Sequence, residues 1–333
     1  MSTDGERKLP HRDGGFRFSI GEEADGPVSA MIVIGDDSLI VTRKSIQQIR
    51  LADSVDPERE NSDIPNSQQK VLSYGSDDPL VGRTFLQADE LFKDHALPDS
   101  INRTEALTIS LNFLKEMIAL NELKGSFLAE QKEIESSFTG KLGEDSSLRI
   151  PSISNLDRRT KEFIYNADQA ARNIIYLVRL FYPDINIARD WMDKLQEKII
   201  AEKGTDHPAV KFVEWMKGKL VPIREVRNSV EHPKPDDKVR FENYALSKEG
   251  KILPPRLFYE KQNSPFPEVL ISEFMDVAVD HLTLCFEGAM VHLCDIHAQP
   301  FAGDERFVNP IPEDKRPEQN LHMGYEYQIA WTK

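Results

Sequence analysis

Residues 153–182 read ISNLDRRTKEFIYNADQAARNIIYLVRLFY. Leu156, Phe163, Ile164, Ala167, Ala171, Ile174, Leu177, Val178 and Phe181 make one apolar stripe at helical spacing, and Pro183 stops it. A stripe of that width must be covered by other elements. The downstream sequence offers them. Ile187, Trp191, Leu195 and Ile199 predict a second helix, punctuated by Gly204 and Pro208. Val210, Val213, Trp215, Leu220, Ile223, Val226 and Val230 predict a third, with Pro222 as a kink and Pro233 and Pro235 as its end. A last long helix is expected from about Pro267 to His297. Four such helices predict a bundle. Between the third and fourth, Val239-Arg240-Phe241-Glu242-Asn243-Tyr244 alternates, Lys248-Glu249-Gly250-Lys251 turns, and Ile252 to Phe258 returns, which predicts a β-hairpin.

Upstream the pattern differs. Ser29 to Ile34 and Leu39 to Thr42 are β-branched runs separated by Gly35-Asp36-Asp37-Ser38, a second hairpin signal. Lys44 to Leu51 is expected as a short helix, and Ala52 to Ser73, rich in polar residues and proline, as a long loop. Asp78-Pro79 supplies a cap and a first helical residue for a helix of three turns carrying Leu80, Phe85, Leu86, Leu91 and Phe92. Leu107, Leu111, Leu114 and Ile118 begin a long helix that starts at Asn102 or Thr104 and reaches about Ser136.

The expected organisation is therefore α+β and predominantly α. It comprises a disordered tail over 1–15, a small N-terminal β-containing region over 16–100 with a polar loop at 52–73, a long helix and connection over 101–152, a helical bundle over 153–298 bearing the β-hairpin insertion, and a tail over 299–333 without periodicity.

Composition narrows the function classes. Hydrophobic residues are 39% and charged residues 29%, an ordinary globular balance. The net charge of -14 repels nucleic acid at long range, so RNA needs a local basic patch, and DNA is not expected as a partner. No run reaches the roughly 20 apolar residues of a membrane span, and Met1 to Phe18 lacks a signal-peptide core, so no membrane partner is expected. Cys285 and Cys294 are the only cysteines. In a helix they stand about 180° and about 13.5 Å apart, too far to pair, which suits a reducing, cytoplasmic setting.

No phosphate loop, dinucleotide fingerprint, HExxH, GxSxG or CxxC occurs, and neither a cofactor nor a metal is expected. Glu130-Gln131-Lys132 after Pro98-Asp99 superficially matches a metal-nuclease signature, but the triplet falls in a helix. On the last helix His281, Cys285 and His292 fall within about 40° of one another, with Asp276, Asp280, Thr283 and Glu287 opposite. The histidines are read as inward, and His281 and His292 as candidates to line a polar pocket shared with Arg227.

One hexapeptide carries chemistry: Arg227-Asn228-Ser229-Val230-Glu231-His232. Arg227 and Glu231, and Asn228 and His232, are i,i+4 pairs, so a guanidinium, a carboxamide and an imidazole share one turn. Pro233 leaves His232 at a helix C-terminus, where the dipole favours a cationic ring. Such groups can clamp a phosphate and shuttle a proton at a ribose 2′-hydroxyl without a metal.

Arg227-Asn228-x-x-x-His232 resembles the RNxxxH form of the R-x4-6-H motif of HEPN domains, which are small helical bundles. The resemblance covers about residues 150–298 by architecture and six residues by motif. It implies a metal-independent endoribonuclease of a defence or toxin–antitoxin type, with Arg227 as phosphate clamp, Asn228 as orienter and His232 as general acid/base. It further implies a homodimer, RNA or nucleotide as ligand, and an antitoxin or other partner protein. Members without RNase activity imply the alternative, a non-catalytic module that dimerises and binds a nucleotide or a partner protein. A purely structural hexapeptide remains a third reading. Two residues depart from the family pattern and modulate the expectation. Glu231 places a carboxylate where a phosphate would sit, and Lys234 stands where some antitoxin-regulated members carry tyrosine. Residues 206–261 hold 12 Lys and Arg against 9 Asp and Glu, a local +3 in an acidic chain.

Overall fold

The computed structural model describes residues 20–138, 140, 147–186, 190–261, 264 and 266–330. The expected disordered tail over 1–15 and the helical position given to Ile187 lie outside them. The chain is α+β and predominantly helical, and it separates into two compact units, residues 1–111 with 297–333 and residues 112–296.

The first unit is built on an antiparallel meander, β1 (Val28–Ile34), β2 (Asp37–Thr42), β3 (Ile46–Arg50) and β4 (Ser67–Leu72), paired in that order. Gly35, at φ +59, opens the tight β1–β2 turn, a conformation glycine adopts at no steric cost. β3 corrects the helix expected over Lys44 to Leu51. It lies between two strands, and Ile46, Gln47 and Ile49 are buried by its neighbours, so tertiary pairing overrides a weak helical pattern. β4 corrects the long loop. It is an edge strand, Ser-Gln-Gln-Lys-Val-Leu, whose exposed polar side chains leave no apolar alternation to read. Of that loop, a short α1 (Ala52–Val55), residues 56–66 and Ser73 remain outside the strand.

Asp78 caps the next helical segment as expected, its carboxylate accepting the Leu80 N–H at 2.8 Å. The segment runs through α2 (Pro79–Val81), a π-helical turn (Gly82–Leu86) and α3 (Gln87–Leu91). The stretch expected as a tail holds β10 (Glu305–Pro310) and β11 (Tyr325–Ala330), an antiparallel pair. Gln87 ties this hairpin to α3. Its buried side-chain oxygen accepts the N–H groups of Gly324 and Tyr325, and its amide donates to the Tyr325 carbonyl, each at 2.9 Å.

The second unit holds most of α4 (Arg103–Ser137), with α5 (Leu156–Phe181), α6 (Trp191–Lys203), α7 (Pro208–Glu231) and α8 (Ile271–Ile296). α5 packs on both α7 and α8, and α6 on α7. Phe163, Ile164, Ala167, Ile174 and Leu177 of the α5 stripe are completely buried. Each large apolar side chain withdrawn from water contributes about 1.5–3 kcal/mol, so this stripe anchors the unit. Phe113 of α4 stacks on Phe286 of α8 at 3.9 Å. Glu130 pairs with Arg159 and accepts the Ser154 N–H at 2.9 Å, a use of that residue in joining α4 to the start of α5.

The inserted hairpin is larger than its sequence pattern. β5 (Asp237–Glu242) pairs with β8 (Arg256–Lys261), and β6 (Ala245–Leu246) with β7 (Ile252–Leu253) nearer the turn. β9 (Glu268–Leu270) adds a third strand beside β8. It takes residues expected in the last helix, which begins only at Ile271. α8 is also long and apolar enough, by length and composition, to cross a bilayer, contrary to the reading of the sequence. Its apolar window is 61% buried inside the unit, as expected of a core helix. For the same reason Thr283 and Glu287, expected on its polar face, are buried.

Candidate functional site

The last two turns of α7 set the hexapeptide. Ile223 and Val226 are buried as expected, which turns Arg227 sideways toward α5, whereas Val230, expected beside them, is only half-buried. There Asp168 waits, buried on α5. Its Oδ2 lies 2.9 Å from Arg172 Nη2 and 3.4 Å from Arg227 Nε. That Nε is buried and lacks an aligned hydrogen-bond acceptor, so the Asp168 contact is an ion pair without a good hydrogen bond. At the other end of the guanidinium, Nη1 is engaged twice. Arg227 Nη1 meets Glu231 Oε2 at 2.6 Å and donates to Asn228 Oδ1 at 3.1 Å.

His232 stands apart from this set. It is the C-cap of α7, its N–H bonding the Asn228 carbonyl at 2.8 Å, and its side chain is 75% exposed. Among the described residues its charged neighbour is Glu231, with Nε2 at 3.7 Å from Oε2. The structure therefore joins Arg227, Asn228 and Glu231 and leaves the imidazole outside.

A cleft of about 970 Å³ opens beside Arg227 and Asn228, between α5, the start of α6, α7 and the β5–β8 strands. His232 does not line it; Lys234 does. Six cations face it, and most are engaged. Arg172 and Arg227 share Asp168, Lys217 pairs with Asp193, and Lys261 meets Glu225 at 3.0 Å. Burial opposes the Lys261 charge, but hydrogen bonds to Glu225 and Tyr259 outweigh it and hold the ammonium above its ordinary value. Arg224 and Lys234 have no ion pair among the described residues. The floor is braced by Ser229, buried at 2%, whose hydroxyl sits between the Glu225 carbonyl at 2.9 Å, the Tyr259 hydroxyl at 3.2 Å and the Asp237 carboxylate.

His281 and His292 do not join this cleft. His281 borders a separate cavity between α7 and α8. The His292 ring lies against Phe212, tilted by 38° with ring centroids 4.7 Å apart. Burial holds both below their ordinary value, assisted at His281 by Lys219 and at His292 by His207, while Asp280 and Asp295 act the other way. Burial likewise pushes the Cys285 thiol up to about 12, and neither cysteine is in a disulfide. Among the described residues no three His, Cys, Asp or Glu side chains converge in a metal-binding group.

Reading the sequence missed Asp168, Arg172 and Arg224. The available signal was Asp168 itself, a carboxylate flanked by Ala167 and Ala171 on a core-facing stripe, which demands a buried cation. No family model, no curated protein and no solved structure matches this chain.

Proposed function

We propose that the second unit is a non-catalytic, HEPN-like binding module whose cleft takes a nucleotide. One observation carries this. Once the internal ion pairs are assigned, Arg224 and Lys234 remain, among the described residues, as cations without acidic partners, in a cleft of small-molecule size that His232 does not line. Arg227, which the motif would assign to phosphate, is already neutralised by Asp168 and Glu231. Arg224 and Lys234 would bind the phosphates, and Asn228 with the remaining carboxylates offers acceptors and donors for ribose and base.

The endoribonuclease reading keeps one supporting observation: His232 is open to solvent beside a carboxylate, the arrangement of a general acid/base. It requires a phosphate clamp from elsewhere, such as a second protomer.

One experiment separates the two. Full-length protein is titrated with ATP by calorimetry and incubated with total RNA in EDTA. The binding reading expects measurable affinity that falls about tenfold or more in Arg224→Ala and Lys234→Ala, no change in His232→Ala, and intact RNA. Cleavage in chelator that disappears in His232→Ala replaces it with the endoribonuclease. Absence of both ATP binding and cleavage removes both readings.

A further inference from the structure

A second cavity, of about 280 Å³, lies on the opposite face of α7, against α8 and the segment leading into it. Its walls are mostly apolar, with Phe266, Phe274 and Val277 among them. The α7 wall is unusual. It includes Gly218 and Pro222, four residues apart on one helix face. Proline has no amide hydrogen, so the Gly218 carbonyl loses the partner that every interior helical carbonyl expects. That carbonyl points along the helix toward Pro222, and both residues line the cavity. An acceptor with spare capacity thus lies on an apolar wall, where an unmet polar group is costly. A Cβ at Gly218 would meet nothing within 4 Å, so the wall is open at that point.

Lys219 and Glu273 bring opposite charges to the wall, so no net charge recruits an ion. Lys219 is drawn over the Trp215 ring, 5.7 Å from its centroid. His281 is held toward its neutral form by burial and by Lys219, against Asp280. On the apolar side Phe266 and Phe274 stand 6.0 Å apart at 54°, giving a corner of two rings. A cavity of about 150 Å³ accommodates benzene, so this one has room for a fused bicycle.

We propose that this cavity binds a compact, uncharged aromatic molecule with a single N–H or O–H donor, its ring against Phe266 and Phe274 and its donor on the Gly218 carbonyl. The site is separate from the charged cleft and does not depend on how that cleft is read.

Indole and benzothiophene test it. They share a shape, but only indole carries a donor. Both are titrated into the full-length protein and followed by protein NMR shifts. The expected result is saturable binding of both, with indole about fivefold to tenfold tighter, the worth of one neutral hydrogen bond. In Pro222→Ala the restored amide satisfies Gly218. Indole should lose its advantage, bringing the ratio to about one, while benzothiophene is unchanged. That variant removes a helix-interior proline, so folding is not at risk. Val277→Trp, at a position already 43% exposed, should fill the cavity and abolish both. No binding of either probe at millimolar concentration overturns the proposal. So does an indole preference that survives Pro222→Ala, or binding that survives Val277→Trp.

Discussion

The two faces of α7 handle polarity in opposite ways. The cleft face carries many charges, and nearly all are consumed by one another: Arg227 by Asp168 and Glu231, Lys217 by Asp193, Lys261 by Glu225. The cavity face is mostly apolar, with Lys219, Glu273 and His281 as its polar side chains, and Pro222 has no N–H to offer the Gly218 carbonyl. The difference teaches where to look for ligands. A dense set of charges can be structural, whereas the groups left over after pairing are the ones available to bind. On one face these are Arg224 and Lys234, and on the other the Gly218 carbonyl.

The sharpest way to break that contrast is to remove Asp168. It is 8% exposed and serves two arginines, so Asp168→Ala takes the shared carboxylate from Arg172 and leaves Arg227 with Glu231 alone. Allowing for the partial exposure of both arginines, a loss of about 2–4 kcal/mol in urea unfolding is expected. Glu231→Ala, at a more exposed partner, should cost under about 1 kcal/mol. Equal losses in the two variants would mean that Asp168 is not the structural anchor of the motif.

The apolar side has its own tight point. Phe212 lies so close across Gly288 of α8 that a Cβ there would overlap its ring. Gly288→Ala should destabilise by about 1–3 kcal/mol, with loss of the Phe212–His292 ring contact in NMR ring-current shifts. An unaffected melting temperature would show that Phe212 moves freely.

Protonation gives a smaller effect with a defined sign. His281 and His292 are held below their ordinary value of 6.5 in the folded chain. As pH falls below about 6.5, the unfolded chain takes up protons that the folded chain refuses, so stability drops. Above that value the two states bind equally and the contribution is flat. Melting temperature should therefore decline from pH 7 to pH 5, and His292→Phe should remove part of the decline. An unchanged slope in that variant would locate the effect elsewhere. The smallest effect is expected at His232. At 75% exposure, His232→Ala should alter stability by no more than about 0.5 kcal/mol. A loss above 1 kcal/mol would place it in contacts that the exposed geometry does not provide.

Legibility in the sequence followed the range of the interaction. The Arg227–Glu231 pair was readable because i,i+4 neighbours meet in any helix. The Asp78 cap and the Gly35 turn were readable for the same local reason. Asp168 as the partner of Arg227 was not, since the two lie on separate helices and spacing says nothing about which faces meet. His232 was read as a member of the site because helical spacing continues on paper. In the fold the helix ends there, at φ -129, and the ring turns to solvent.

Strands fared differently. β1 and β2 carry β-branched runs and announce themselves, whereas β3, β4 and β9 owe their state to neighbours. Their hydrogen bonds are made with other segments, so their own residues carry little of the signal. What the sequence determined by itself was the set of long helices and their buried stripes, because a period of 3.6 is a property of the helix alone. Tertiary structure alone decided the edge strands, the pairing that neutralises Arg227, and the separation of a charged cleft from an apolar cavity across one helix. Each of these depends on which surfaces come together, and that is settled only when distant segments bury their apolar faces against one another.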